Sequence, residues 1–168
     1  MPPEDLLKPR AFFRDLRDRE PNLFGPIRVS VIVVLLGNLI PVMFYEFENK
    51  GAWFVRQVSL GLVAVVVLMA LVRLIAGFAT SNRAPEIVGY SLTPVLYALL
   101  VFGTLGFFIP LLGPLVMLVA LGMSLYFVWV GVDELIGRAQ AWRVVLTVPV
   151  LALVVLYAFG ALTGVPRA

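Results

Sequence analysis

Ile87–Val132, IVGYSLTPVLYALLVFGTLGFFIPLLGPLVMLVALGMSLYFVWVGV, is a run of 46 residues without a charge. At about 1.5 Å of rise per residue, one helix of that length would be roughly twice as long as a bilayer's hydrocarbon core is thick. The run must therefore fold back on itself. Pro110, Gly113 and Pro114 interrupt its middle, and all three disfavour a continuous helix. Two spans result, over 87–109 and 112–132.

The pattern extends in both directions. Val29–Tyr45 holds 17 uncharged residues between Arg28 and Glu46, close to the minimum for a crossing helix. Between Arg56 and Arg73 lie 16 more, and Arg73 is followed by further apolar residues. An arginine near a helix end can carry its charge to the headgroups, so this span runs over 53–79. Val144–Pro166 supplies 23 uncharged residues for a last span. Asp133–Arg143 joins the last two spans and reads as a continuing helix. The expected fold is thus all-α, a polytopic transmembrane bundle of five helices (29–45, 53–79, 87–109, 112–132, 144–166). The transmembrane domain covers 29–166 and follows an N-terminal segment, 1–28.

Composition agrees. The chain of 168 residues is 61% hydrophobic and 14% charged, against about 25% charged in an average soluble domain. A small globule cannot hide that much apolar surface from water, so lipid must be part of the solvent. A β-barrel would need short alternating segments rather than long apolar runs. With no Cys and no His, the chain lacks thiolate nucleophiles, Cys/His zinc sites and histidine proton relays. There is no phosphate-cradling glycine loop and no paired catalytic carboxylate within the apolar runs. No enzyme and no cofactor are expected.

Residues 1–28 contain six basic and five acidic side chains and lack the apolar core of a cleaved leader. This near balance argues against nucleic acid as a partner. Pro9 suits a first helical position and Pro21 ends the helix that follows. Phe12 and Phe13 both share a side with Leu16, and charges occupy the other side. The expectation is a short amphipathic helix in the membrane interface, with Phe12, Phe13 and Leu16 as its anchors in the acyl region. With five spans, ten Lys and Arg residues fall on the side of the N-terminus and three on the other. The positive-inside rule then puts the N-terminus in the cytosol and the C-terminus outside it.

Polar groups beside the apolar runs are the candidate sites. Asp133, Glu134 and Arg138 follow the fourth span, either as an ion or substrate site at the cytosolic mouth or as a helix end with Glu134 and Arg138 paired four apart. Arg73 either snorkels or partners one of these acids. We expect Arg73 or Arg83 to lie close to Asp133 or Glu134, because the topology puts all four on one side. Pro41, Pro94 and Pro149 can break helices, and broken helices expose backbone groups for ligands or act only as packing kinks. Asn38 and Tyr90 stand near two of these prolines, as helix–helix hydrogen-bonding groups or as ligand contacts. Pro94 is expected to open the third span near its cytosolic end, with the hydroxyl of Ser91 or Thr93 helping to satisfy the freed carbonyl of Tyr90.

Three segments resemble a known family. Lys8-Pro9-Arg10-Ala11-Phe12-Phe13-Arg14-Asp15-Leu16 is similar to the short Pro-x-x-Phe-Phe segment of prokaryotic members of the Yip-domain family, also called Ypt/Rab-interacting membrane proteins. Gly89-Tyr90-Ser91-Leu92-Thr93-Pro94 resembles that family's Gly-Tyr-Ser-x-x-Pro start of span three. Trp129–Ala139, with Gly131, Glu134 and Ala139, resembles the end of span four. The resemblance runs through most of the chain from Leu6. It implies five spans, a cytosolic N-terminus and a role in membrane organisation or trafficking, with membrane lipids and protein partners or a second copy. It does not imply binding of Rab-type GTPases, since only 28 residues precede the first span; that points to the plasma membrane of a prokaryote. A small transporter or channel subunit, with its site at proline-broken helices, is the alternative.

Overall fold

The computed structural model describes residues 7–44, 48–76, 83–105, 112–147 and 149–150. Among them every regular element is helical. In chain order these are α1 (Pro9–Arg17), α2 (Phe24–Phe44), α3 (Lys50–Ala76), α4 (Ala84–Ser91), α5 (Thr93–Leu105) and α6 (Leu112–Leu135). A further helical stretch covers 138–147. Among the described residues, three helical segments are long and apolar enough to cross a membrane: Lys50–Ile75, Ala84–Val101 and Leu115–Leu135. Phe24–Ile40 is apolar but shorter. The expected turn at Pro110 and most of the fifth span fall outside the described residues.

Local chemistry sets the helix ends. The side chain of Asn22 accepts the amide of Phe24 at 3.0 Å, which starts α2 five residues before the expected boundary. Asn49 accepts the amide of Ala52 at 2.9 Å and starts α3 in the same way. α2 continues through Pro41 to Phe44, so of the two readings open at that proline the described residues do not show the broken helix. Asn38 donates to the carbonyl of Val34 at 2.8 Å, a bond within its own helix.

The third apolar run does break at its proline. α4 ends at Ser91, Leu92 caps it, and α5 restarts at Thr93. Pro94 has no amide to offer the carbonyl of Tyr90. Cap amides reach the carbonyls of Gly89 and Tyr90 instead. The hydroxyls of Ser91 and Thr93 do not share in this, contrary to expectation. Both are buried with no hydrogen-bond partner among the described residues.

A second correction concerns the connector after the fourth run. It does not continue as one helix. Gly137 has a φ of 144°, where L side chains are strained, and its amide reaches back to the carbonyl of Val132 at 2.8 Å. The chain turns there, and the stretch 138–147 folds back so that Val144 and Ala141 join the core with Val72, Ile87, Val88, Val128 and Val132.

α2 packs on α3, α4 and α5, while α6 packs on α1, α4 and α5. Lipid gives helices no hydrophobic reason to associate, so close approach must come from small residues. Gly89 provides the closest one. A Cβ there would lie 2.6 Å from the Cα of Pro26 in α2. At Gly122, by contrast, an added Cβ would meet nothing within 4 Å. We therefore expect Gly89→Ala to force α2 away from α4, at a cost of about 1–3 kcal/mol. Gly122→Ala should leave the melting temperature nearly unchanged. Thermal unfolding of both variants in one detergent measures the contrast, and equal melting temperatures would refute the close contact.

Candidate functional site: the helix docked across the polar end of the bundle

α1 lies against α6 with its apolar side inward. Phe13 has none of its surface exposed, and Leu16 is buried beside it. They form one cluster with Phe127 and Val130 of α6, flanked by Phe12, Tyr90, Trp129 and Leu135. Gly131 leaves the space that Phe13 fills, since a Cβ at that position would sit 3.1 Å from the ring. Phe12 meets Tyr90 edge-on at 5.1 Å between centroids. The Tyr90 hydroxyl in turn lies over Gly25, 2.5 Å from where its Cβ would be.

The apolar side read from the sequence is therefore the one that is buried, but its partner is protein. Phe13 and Leu16 do not anchor α1 in the acyl region. The physical reason is that α6 presents a glycine notch and an aromatic wall of matching shape, and packing against protein fills that notch more completely than mobile acyl chains do.

Charges fix the orientation. On one side of α1, Arg10 reaches Asp133 at 3.4 Å and Glu134 at 3.4 Å, and Arg14 reaches Glu134 at 3.5 Å. The guanidinium of Arg10 also stands 5.1 Å from the ring centre of Trp129, a cation–π arrangement. The two acids thus find their cations on the N-terminal helix. Neither Arg73 nor Arg83 fills that role, and Glu134 does not turn to Arg138. The positive-inside rule places groups on a side but says nothing about which neighbours they meet there.

Arg83 has another task. It pairs with Glu86 at 2.8 Å and donates to the carbonyl of Leu16 at 3.0 Å. It also donates to the carbonyls of Arg17 and Arg19. These are carbonyls at and just beyond the C-terminal end of α1, where a helix leaves acceptors over; that of Leu16 also accepts the amide of Arg19 at 3.1 Å. Glu86 is fully buried and accepts the amide of Asn22 at 2.9 Å. One arginine and one carboxylate thereby tie the end of α1, the start of α2 and the first turn of α4 together. Sequence reading missed Glu86, Arg10 and Arg14. The signals were present: Arg83 and Glu86 stand three apart at a helix start, and Arg10 and Arg14 stand four apart on one side of a helix.

The remaining candidates do not join this cluster. Arg73 and Arg138 are exposed and form no ion pair among the described residues. Asn38 and Pro41 lie along α2. Pro94 lies at the break between α4 and α5, and Tyr90, just before it, touches α1 through Phe12.

A helical bundle with crossing-length apolar helices and a polar helix strapped over one end defines an integral membrane protein. The model of the Yip1 domain family matches residues 5–162, nearly the whole chain including α1, and the protein belongs to that family. No curated protein and no solved structure gives a match.

Two measurements test the docking. Phe13→Ala should lower stability by about 3–5 kcal/mol, because the notch at Gly131 empties. Glu134→Arg should lower the melting temperature, and adding Arg14→Glu should recover it by the modest amount, about 0–1 kcal/mol, of a pair with one exposed member. Recovery with Arg73→Glu in place of Arg14→Glu would contradict this pairing.

Proposed function

We propose that the protein is a non-enzymatic membrane-organising or trafficking scaffold that crosses the bilayer five times, with α1 on the cytosolic side, and acts through protein or lipid contacts there. The observation that carries this is the docked α1. Its inner side is consumed by the bundle, while Asp15 and Arg17 on its outer side and Asp18 and Arg19 just after it are exposed in alternating sign. A helix clamped at both ends displays these charges in a constant pattern, and complementary charge patterns select partners more than they add affinity. Asp133 and Glu134, the carboxylates a reaction would need, are engaged by arginines that hold structure.

The transporter alternative has one observation on its side: the break at Leu92 with the buried, unpartnered hydroxyls of Ser91 and Thr93. Against it, Val95, Ala98 and Leu99 close the bundle immediately beyond the break, in an apolar cluster with Val33 and Ala120.

The chain has no cysteine, so single cysteines can be introduced without background. Cysteines replacing Lys8 and Arg138 should react with an impermeant thiol reagent from the cytosolic side, and one replacing Lys50 from the other. Reaction of Lys50→Cys from the cytosolic side would overturn the topology. For the partner, the exchange Arg17→Asp with Asp18→Arg keeps net charge and inverts the displayed pattern. It should change the proteins that co-purify while leaving the melting temperature alone. An unchanged set of partners would overturn the scaffold role of this face.

A further inference from the structure

We propose that the groove between α6 and the stretch 138–147 is a binding site for one anionic phospholipid, with the lipid phosphate on Arg138 and an acyl chain running toward Gly122. The site rests on the membrane placement of the chain alone, and not on the scaffold role of α1.

The groove is shallow and open along its outer side, with a volume of about 470 Å³. Its walls are aromatic: Trp129 lies between Tyr126, stacked at 6.0 Å, and Trp142 at 5.9 Å. Its deeper end is apolar, formed by Leu125 and Gly122, and the absent side chain at Gly122 leaves that end open. Around it the outer surface is exposed and apolar, with Leu118, Leu121 and Leu146 all uncovered, as a lipid-facing belt must be. Arg138 lines the groove at the other end, beyond the turn at Gly137, and forms no ion pair among the described residues.

Polarity therefore changes along the groove in the order that it changes along a phospholipid. An apolar slot comes first, then an aromatic girdle, then a cation. The indole Nε1 of Trp129 is buried and has no hydrogen-bond partner among the described residues. That closed-off N–H marks Trp129 as a ring fixed in the wall, with the guanidinium of Arg10 over it at 5.1 Å, and the groove offers a ligand its aromatic surface. Charge selects the headgroup. Arg10 and Arg14 are already matched by Asp133 and Glu134, whereas Arg138, the cation that lines the groove, forms no ion pair among the described residues. A phosphatidylglycerol-like lipid brings a compensating net negative charge, whereas a zwitterionic lipid brings its own ammonium.

Tryptophan quenching by brominated lipid reads the site directly, because Trp129 and Trp142 form its walls. The protein carrying Trp53→Phe is reconstituted in vesicles with brominated phosphatidylglycerol or brominated phosphatidylcholine at equal mole fractions. Half-quenching should need about fivefold less of the anionic lipid, the preference given by one basic residue near an anionic headgroup. Arg138→Gln should bring the two lipids level. Gly122→Leu, which meets open space and so should fold, should weaken quenching by both. If Trp53→Phe does not fold, Trp53 left in place adds a background common to both proteins, and the comparison with Arg138→Gln stands. Equal quenching by the two lipids, a preference that survives Arg138→Gln, or relief of quenching by added inorganic phosphate would overturn the proposal.

Discussion

Glu86 is a fully buried carboxylate at the start of α4, and Arg83, one turn earlier, is the cation that answers it. A buried charge pair adds little net stability, but removing one partner strands the other and costs about 3–5 kcal/mol. That asymmetry makes the pair a locating device. Arg83 cannot leave Glu86, so its remaining donors stay aimed at the carbonyls of Leu16, Arg17 and Arg19. Glu86 cannot leave Arg83, so its second oxygen stays available to the amide of Asn22. The end of α1 and the entry to α2 are both set by this couple. The Phe13 notch and the Arg10 and Arg14 pairs on α6 then follow from where α1 has been put.

The same geometry explains the glycines that matter. Gly89 lets α4 touch α2 at Pro26, one turn along the chain from Glu86, and Gly131 lets α6 receive Phe13. Both contacts converge on Tyr90, which spans from Phe12 to Gly25. The polar end of the bundle is thus a single interlocked unit. The break before Pro94 separates it from the apolar part of the third run, where α5 follows its own packing against α2 and α6.

How much of this could be read from residues alone depends on how local the physics is. The long uncharged run Ile87–Val132 dictates membrane helices because solvent transfer acts residue by residue. The break at Pro94 was legible because proline acts within four residues of itself, although the hydroxyls of Ser91 and Thr93 took no part in repairing it. At Pro41 the two readings, a broken helix or a packing kink, could not be separated from sequence, and the described helix runs on past it to Phe44. The apolar side of α1 was legible, yet its partner was not. Lipid tails and the wall made by Phe127 and Val130 offer the same apolar chemistry, and only three-dimensional shape distinguishes them. The partners of Asp133 and Glu134 were hidden for a related reason: Arg10 lies more than 120 positions away in sequence, beyond the reach of any periodicity.

The central claim is that α1 is held by the bundle through Arg83 and not by the lipid interface. Hydrogen exchange of the α1 amides, in lipid nanodiscs, compares the parent protein with Arg83→Ala. The account predicts slow exchange over residues 11–17 in the parent and fast exchange there in the variant, while the amides of α6 keep their protection. Slow exchange over α1 in both proteins would contradict it, because the helix would then owe its order to contacts other than those of Arg83.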